Sequence, residues 1–281
     1  MDFFNILILA IVQGAAELLP VSSSAHVIVA EKLMGLDPTS PEMTMLLVML
    51  HTGTMFAVIV YFWQAWRDTY FSSGHAFRSN ARLIVVATAA TGVVGLLLLK
   101  LIKHLVAGND PGFEIEHLFA NAKLMAAALA AAGVLIIASS RLPERANGAL
   151  NLRTAAWVGA VQGLCLPFRG FSRSGATIST ALALGSSRRR AEEFSFALAV
   201  VLTPAVIVKE AFRLYQSHAL TVAKNGTSLL QLVGPSLVGM LLSFVAGLLA
   251  LRWLSRWLEQ GRWHFFGAYC LVAAVVVLLV G

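Results

Sequence analysis

The sequence contains few charged residues and few cysteines. Only 12% of its 281 residues are Asp, Glu, Lys or Arg, which is about half the share found in a typical soluble domain. Too few charges remain to cover a water-facing surface, and this excludes a solvated globular domain and a disordered chain. The two cysteines, Cys165 and Cys270, lie in apolar runs. They are too few for a disulfide scaffold, and we expect them to have a packing role.

Apolar residues are abundant: they make up 58% of the chain, and the mean hydropathy is +0.78. Lipid is therefore the expected solvent for most of the molecule. The net charge is +7. Because the basic residues cluster between apolar spans, membrane orientation explains them, and we expect no nucleic-acid partner. No Lys or Arg precedes the first apolar run, so we expect no cleavable signal peptide.

Six segments are close to the roughly 20 residues needed to cross a bilayer. These predicted transmembrane helices are Met43–Trp66, Arg82–Leu105, His117–Ser140, Glu192–Tyr215, Ser228–Leu251 and Trp263–Val280. The expected fold class is all-α: a polytopic integral membrane protein that forms a single membrane domain over residues 1–281.

Two further apolar stretches are interrupted, and they predict re-entrant helical hairpins. The first comprises Phe3–Leu19 and Ala25–Met34, and the second comprises Leu152–Leu166 and Ser172–Leu184. Each half is too short to cross comfortably, and the proline, glycine and serine residues between the halves end or cap helices. Such broken backbone is tolerated at membrane depth only where protein or a water-filled cavity covers it.

A hairpin followed by three spans occurs twice, which predicts an internal repeat with halves at residues 1–145 and 146–281. Gln13-Gly14 and Gln162-Gly163 mark corresponding points in the two halves. Because three is an odd number of spans, the second half must be inverted relative to the first. A site is then expected where the two broken segments meet near the bilayer midplane.

Arginine is concentrated on one predicted face, which we expect to be cytoplasmic. That face carries Arg67, Arg78, Arg141, Arg145, Arg153, Arg188, Arg189, Arg190, Arg252, Arg256 and Arg262. The opposite face carries three lysines and most of the acidic loop residues. The first hairpin and both termini then open on the outer side. For the Arg188–Arg190 run we favour membrane anchoring over substrate contact.

The first hairpin gathers ionisable and hydroxyl side chains around its break. Gln13 and Glu17 share one helix face, and Pro20 ends that helix. Ser22, Ser23 and Ser24 stand where the next helix begins, with His26 one turn further along. An ionisable residue at membrane depth is costly and is a functional-site hypothesis by default. The structural alternative pairs Glu17 with an arginine and uses the serines as caps, but it does not require a histidine beside three hydroxyls.

The second hairpin has the residues expected of an anion site. Gly170 lets the backbone approach a ligand closely. Ser172, Ser174 and Thr177 offer hydroxyls at a helix start, whose free N–H groups attract an anion. The Arg173 guanidinium suits phosphate oxygens, and it can also be a counter-ion to Glu17. The sequence leaves open whether Arg169 contacts the substrate or has no such role.

Together the two breaks offer the groups that a phosphate ester or anhydride needs. A hydroxyl nucleophile requires a base within hydrogen-bond reach, and His26 or Glu17 can serve. Arg173 and the helix N–H groups can stabilise charge on the phosphoryl oxygens. The sequence leaves open whether His51 approaches this pocket or is a packing residue. A secondary transporter or lipid flippase is the alternative function, because inverted repeats with broken helices are transporter architecture.

The two segments resemble the two signature motifs of the undecaprenyl-diphosphate phosphatase family, the bacitracin-resistance type. The first motif is matched by Gln13, Glu17, Pro20-Val21-Ser22-Ser23 and His26, and the second by Gly170–Thr177. The segments His51–Thr54 and Glu193–Phe196 are also similar to family sequence. The resemblance covers essentially the whole chain.

The resemblance implies hydrolysis of undecaprenyl diphosphate, a C55 isoprenyl diphosphate, to the monophosphate and inorganic phosphate. This reaction recycles the lipid carrier of peptidoglycan synthesis and confers bacitracin resistance. The implied location is the bacterial inner membrane, and the charge bias favours a site that faces the outer, periplasmic side. A homodimer is one option for its assembly.

The resemblance also implies roles for particular residues. Ser23 resembles the nucleophile, Glu17 and His26 the acid/base or metal-organising groups, and Arg173 the phosphate binder. The expected substrate-binding residues are Ser22, Ser24, Gly170, Arg169, Ser172, Ser174 and Thr177. A divalent cation, Mg2+ or Ca2+, is implied, with Glu17 and Gln13 as its candidate ligands. The chain departs from the family pattern at Gln13, where many members have glutamate, and at Arg169, where proline is usual.

Overall fold

A computed structural model describes residues 2–36, 41–107, 121–143, 148–168, 170–225 and 229–280. Within these ranges all regular structure is helical. The helices are α1 (Phe3–Leu18), α2 (Ser23–Leu33), α3 (Pro41–Tyr70), α4 (Gly74–Ala107), α5 (Ala122–Ser140), α6 (Leu152–Leu164), α7 (Arg173–Ala183), α8 (Arg188–Asn225), α9 (Leu229–Glu259) and α10 (Trp263–Val280).

Among the described residues, five helices are long and apolar enough to cross a membrane. They are Met43–Tyr70, Gly74–Leu105, Ala122–Ser140, Gly234–Glu259 and Trp263–Val280. The predicted all-α, polytopic membrane protein is confirmed. The predicted span Glu192–Tyr215 forms part of α8, a continuous helix that contains Pro204, but it is not one of these five. The count of six spans is therefore not confirmed.

Both interrupted stretches form helical hairpins. In the first hairpin, α1 packs against α2, and in the second, α6 packs against α7. Leu19 is extended, with φ −67° and ψ 149°, as a residue before proline should be, and so α1 ends before Pro20. Before α7, the Ser172 hydroxyl accepts a hydrogen bond from the Gly175 N–H at 3.2 Å and caps the helix.

The two hairpins open at opposite ends of the molecule. Lys32 Nζ, near the end of α2, donates to the Val280 carbonyl at 3.0 Å, so the first hairpin opens where α10 ends. Arg188, which begins α8 shortly after α7, donates to the Glu259 carbonyl at 3.0 Å. The second hairpin therefore opens where α10 begins. This is the relation that an inverted repeat requires.

The contacts between the two halves also occur in exchanged pairs. Helix α1 of the first half packs on α9 of the second, and its counterpart α6 packs on α4, the counterpart of α9. The counterparts α3 and α8 pack on each other, as do α5 and α10. A Cβ at Gly14 would lie 2.8 Å from the Ser243 carbonyl oxygen, and one at Gly163 would lie 2.9 Å from the Thr91 carbonyl oxygen. Small residues thus allow α1 and α6 to approach their partners closely. The division of the chain near residue 145 stays a prediction.

The arginine run after the second hairpin contributes to a polar network at the same end. Arg189 and Arg190 bond the buried carboxylate of Glu193 at 2.8 and 3.2 Å, and Arg190 also bonds Asn80 at 3.1 Å. These contacts join the start of α8 to the start of α4. The end of the molecule at which the second hairpin opens is therefore rich in arginine, and we call it the arginine-rich end.

Candidate active site

Glu17, in the last turn of α1, lies at the centre of a polar cluster. Its Oε2 accepts hydrogen bonds from the Ser23 hydroxyl at 2.6 Å and from Gln13 Nε2 at 3.2 Å. Its Oε1 accepts one from Arg173 Nη2 at 3.1 Å, and His51 Nε2 lies 3.7 Å from Oε2. One carboxylate thus joins the first hairpin, the second hairpin and α3.

The backbones of the two hairpin breaks are also in contact. The Ser174 hydroxyl donates to the Leu19 carbonyl at 3.3 Å. A Cβ at Gly175 would lie 3.2 Å from Pro20 Cβ and 2.9 Å from Ile136 Cδ1, so only glycine fits there without displacing a neighbour. The two breaks, far apart along the chain, therefore form one continuous surface.

Ser23 owes its position to an unusual turn. Ser22 has φ 67° and ψ 96° and is the only non-glycine residue with positive φ in the described ranges. A non-glycine residue in this region is strained, and such strain clusters at functional sites. The Ser22 side chain makes no capping hydrogen bond to α2. The first N–H groups of α2, beside the Ser23 hydroxyl, are therefore available to an anion.

Arg173 has one donor to spare. Its Nη2 bonds Glu17, whereas its Nη1 is buried without a hydrogen-bond partner among the described residues. A buried donor without a partner is costly, and a guanidinium edge suits the oxygens of an anion. Of the two roles considered for Arg173, the counter-ion contact with Glu17 is present, and the geometry leaves room for the second.

The hydroxyls of the second hairpin are buried and engaged in local bonds. Ser172 caps α7 and Ser174 bonds the first hairpin, as described above. The Thr177 hydroxyl donates to the Arg173 carbonyl at 2.8 Å and lies 2.6 Å from the Ser195 hydroxyl. These groups thus fix the backbone that carries Arg173. Ser195 belongs to the segment Glu193–Phe196, and the similarity of that segment to family sequence was the only indication that Ser195 is near the site.

Gly170 lies in the left-handed region, with φ 105°. A Cβ there would collide with the Met125 carbonyl oxygen, so the bend before α7 requires glycine. The predicted site residue Arg169 and the side chain of Ser24 lie outside what the structure describes.

His26 hydrogen-bonds away from Ser23 and Glu17. Its Nδ1 lies 2.8 Å from the Ser22 carbonyl, and its Nε2 lies 2.7 Å from the Tyr269 hydroxyl on α10. Sequence reasoning missed Tyr269. The only available signal was a tyrosine within an apolar span, where its hydroxyl needs a partner.

Both cysteines pack, as expected. Cys270 is buried, and its thiol donates to the Pro20 carbonyl at 3.2 Å. The thiol of Cys165, which is half-buried, donates to the Val161 carbonyl at 3.5 Å.

The cluster remains accessible to a ligand. The side chains of Glu17 and Arg173 are 20% and 22% exposed, and that of His51 is 37% exposed. His51 therefore lies in the site, which is the first of the two alternatives left open by the sequence. A hydroxyl bonded to a carboxylate, with a guanidinium and a helix N-terminus beside it, is suited to phosphoryl transfer.

Comparison with known proteins gives a match to the family described as Bacitracin resistance protein BacA over residues 6–276. The chain belongs to this family. Undecaprenyl-diphosphatase 2 of Acinetobacter baylyi is 64% identical over 278 residues, covering 99% of this chain and 98% of the relative. Undecaprenyl-diphosphatase of Thermus thermophilus is 34% identical over 96% of this chain and 94% of its own. That of Korarchaeum cryptofilum is 30% identical over 99% of each.

The match to the BacA family includes both hairpins and confirms the membership predicted from the two motifs. As for a metal ion, no group of three or more His, Cys, Asp or Glu side chains comes together in the part of the chain that the structure describes. The cluster around Glu17 contains a single carboxylate, which is too few for a cation held by protein ligands alone. The cluster does fit a hard cation such as Mg2+, which one carboxylate and the phosphate oxygens of a substrate can hold together.

Proposed function

We propose that the protein is a membrane-embedded phosphatase that hydrolyses undecaprenyl diphosphate to undecaprenyl phosphate and inorganic phosphate. The main support for this function is the 2.6 Å hydrogen bond from the Ser23 hydroxyl to Glu17, whose carboxylate also binds Arg173 from the second hairpin. Relatives that match nearly the whole chain bear the name undecaprenyl-diphosphatase.

The geometry supports Ser23 as the nucleophile and Glu17 as its base. Ser23 Oγ attacks the distal phosphorus while its proton passes to Glu17 Oε2. The bond from that phosphorus to the bridging oxygen breaks, and undecaprenyl phosphate leaves. Water then hydrolyses the phosphoserine, which releases phosphate and restores the hydroxyl. Glu17 is favoured over His26 as the base because only Glu17 contacts the Ser23 hydroxyl.

Arg173 and the start of α2 supply the positive potential for this step. The unpartnered Nη1 of Arg173 can bind a phosphoryl oxygen while Nη2 still holds Glu17. The N–H groups at the start of α2, of which Ser23 is the first residue, can bind oxygens of the same phosphoryl group. Fixed donors of this kind stabilise the charge that moves onto the phosphoryl oxygens in the transition state.

We infer the side of the membrane from charge. The arginine-rich end should face the cytoplasm, and the first hairpin opens at the other end, beside Lys32 and Val280. We therefore place the site on the periplasmic side of a bacterial inner membrane. There, hydrolysis returns carrier lipid to peptidoglycan synthesis and supports bacitracin resistance.

Phosphate release tests this function directly. The purified protein, reconstituted in vesicles with undecaprenyl diphosphate, is expected to release inorganic phosphate. Vesicles sorted by orientation separate the two sides: substrate supplied to the periplasmic leaflet should be hydrolysed, whereas hydrolysis only of substrate in the other leaflet would contradict the assignment of the side. Vesicles that bind the substrate without releasing phosphate would refute the phosphatase.

The opposed hairpins favour lipid translocation as a second candidate function. Broken segments that enter from opposite ends and meet inside the protein are transporter architecture. Movement of a labelled undecaprenyl phosphate between leaflets, measured without any diphosphate substrate, would support this candidate. If the lipid stays in its original leaflet while diphosphate is hydrolysed, the phosphatase alone is supported.

A divalent cation, Mg2+ or Ca2+, is part of the proposal. Glu17 and the amide oxygen of Gln13 would hold it together with substrate phosphate oxygens. When bound, such an ion neutralises phosphate charge. The proton transfer from Ser23 to Glu17 is assigned to this chain's own residues.

Replacing Gln13 by glutamate should strengthen the binding of the cation. A second carboxylate raises the ligand charge, so the Mg2+ concentration for half-maximal activity should fall by roughly tenfold. The measurement is an Mg2+ titration of phosphate release after chelation of bound ions. Gln260→Glu makes the same charge change at the exposed turn after α9 and should leave the titration unchanged. Equal titrations for Gln13→Glu and wild type would contradict the assignment of Gln13.

A further inference from the structure

We propose that Tyr269 is a positioning residue for the reaction proposed above. It anchors the His26 ring to α10, and His26 in turn holds the strained turn that places Ser23 on Glu17. The inference concerns a residue on α10, which contributes none of the groups assigned to the chemistry. Its link to activity rests on the proposed function, whereas its structural part can be measured independently.

The carbonyl of the strained Ser22 contacts two groups of His26. This carbonyl faces the start of α2, where the backbone N–H of His26 approaches it only at 3.5 Å. The His26 side chain makes the short contact, from Nδ1 at 2.8 Å. The imidazole is therefore the closer of the two groups that contact this carbonyl, and whatever anchors the imidazole also anchors the carbonyl.

The Ser22 carbonyl fixes the position of the proton on the His26 ring. A carbonyl oxygen only accepts hydrogen bonds, so Nδ1 of His26 must carry a hydrogen. In the neutral ring Nε2 is then an acceptor, and the Tyr269 hydroxyl, 2.7 Å away, donates to it. The Ser22 carbonyl thus decides which ring nitrogen is protonated. Tyr269, which donates to the other nitrogen, anchors the ring to α10.

Two successive residues of α10, Tyr269 and Cys270, hold the break of the first hairpin. Cys270 donates to the Pro20 carbonyl at 3.2 Å, while Tyr269 reaches the Ser22 carbonyl through His26. The rings of Tyr269 and His26 are nearly parallel, with an interplanar angle of 14° and centroids 5.6 Å apart. Both carbonyls beside Val21 are therefore held by groups from outside the turn, which keeps a strained conformation populated.

Tyr269→Phe is the informative variant because it retains the ring and removes only the donor. We expect kcat for undecaprenyl diphosphate to fall by about tenfold, with KM changed by less than about twofold, since misplacing a reacting group affects the chemical step. Tyr70→Phe is the matched control. The Tyr70 hydroxyl has no hydrogen-bond partner among the described residues, and its loss should leave both constants unchanged.

Two further readouts distinguish positioning through His26 from a general structural role. In a His26→Ala background, adding Tyr269→Phe should cause no further loss of kcat, and a full additional tenfold loss would overturn the proposal. Nitrogen NMR of labelled histidine, with the His26 signals assigned by their loss in His26→Ala, should show a protonated Nδ1 and a hydrogen-bonded, unprotonated Nε2 in the wild type. In Tyr269→Phe the Nε2 signal should shift because its donor is gone, and an unchanged Nε2 signal would overturn the proposal. If the wild type releases no phosphate, the proposed function fails, and the NMR result still decides the role of Tyr269.

Discussion

Phosphate release from undecaprenyl diphosphate is expected to fall by at least about 10³-fold when Ser23 is replaced by alanine. The Ser23 hydroxyl is the nucleophile of the proposed reaction, and it is bonded to its base at 2.6 Å. Alanine removes the attacking oxygen and leaves Glu17 with its contacts to Gln13 and Arg173. The initial rate of phosphate release in detergent, at saturating substrate, is the measurement.

Ser140→Ala is the matched control for this variant. Among the described residues, the Ser140 hydroxyl donates only to the Ile137 carbonyl of its own helix, at 2.7 Å, so its removal should leave the rate within about twofold of wild type. A Ser23→Ala protein that keeps more than a tenth of the wild-type rate would show that another group attacks. Brief reaction and acid quenching of the wild type should also leave phosphate on a peptide that contains Ser23.

Replacing Glu17 by glutamine should lower kcat by about 10²–10⁴-fold, which is the usual contribution of a positioned base. Glutamine keeps the size of the side chain but cannot accept the Ser23 proton. It also removes the negative partner of Arg173, whose guanidinium is partly buried, and an uncompensated charge destabilises the contact between the hairpins. The measurements are kcat and the midpoint of thermal unfolding.

The loss of charge has its own control. Glu259→Gln removes a carboxylate at the exposed end of α9 and should change neither quantity. Glu17→Gln combined with Arg173→Gln removes both charges and should recover part of the lost thermal stability while leaving kcat low. Recovery of kcat in the double variant would mean that Glu17 serves only as a counter-ion, which would contradict its role as the base.

Local signals in the sequence were sufficient to predict the two hairpins. Pro20 imposes an extended residue before it, and Gly170 supplies a positive φ, so both breaks could be placed without tertiary information. The convergence of Glu17 and Arg173 could also be anticipated, because charges within apolar segments need partners. Hydropathy was sufficient to place five spans, although α3 and α4 extend beyond the predicted limits as polar helix.

Contacts made across the fold could not be predicted in this way. His26 and Tyr269 are separated by 243 positions, and their contact depends on how α10 packs against the first hairpin. The sequence therefore left His26 open as a base, whereas both of its ring nitrogens bond elsewhere. The hydroxyls of Ser174 and Thr177 were predicted as substrate contacts, but their direction depends on where α1 and α8 lie. In the structure they bond the neighbouring Leu19 and Ser195.

A structure with a non-hydrolysable isoprenyl diphosphonate bound is the most direct test of a site shared by the two hairpins. We predict that the distal phosphonate lies within about 3.5 Å of Ser23 Oγ and accepts hydrogen bonds from the Arg173 guanidinium, the usual range for such contacts. A diphosphonate held by one hairpin alone, with the other side chain beyond hydrogen-bond reach of the same phosphonate group, would contradict the shared site.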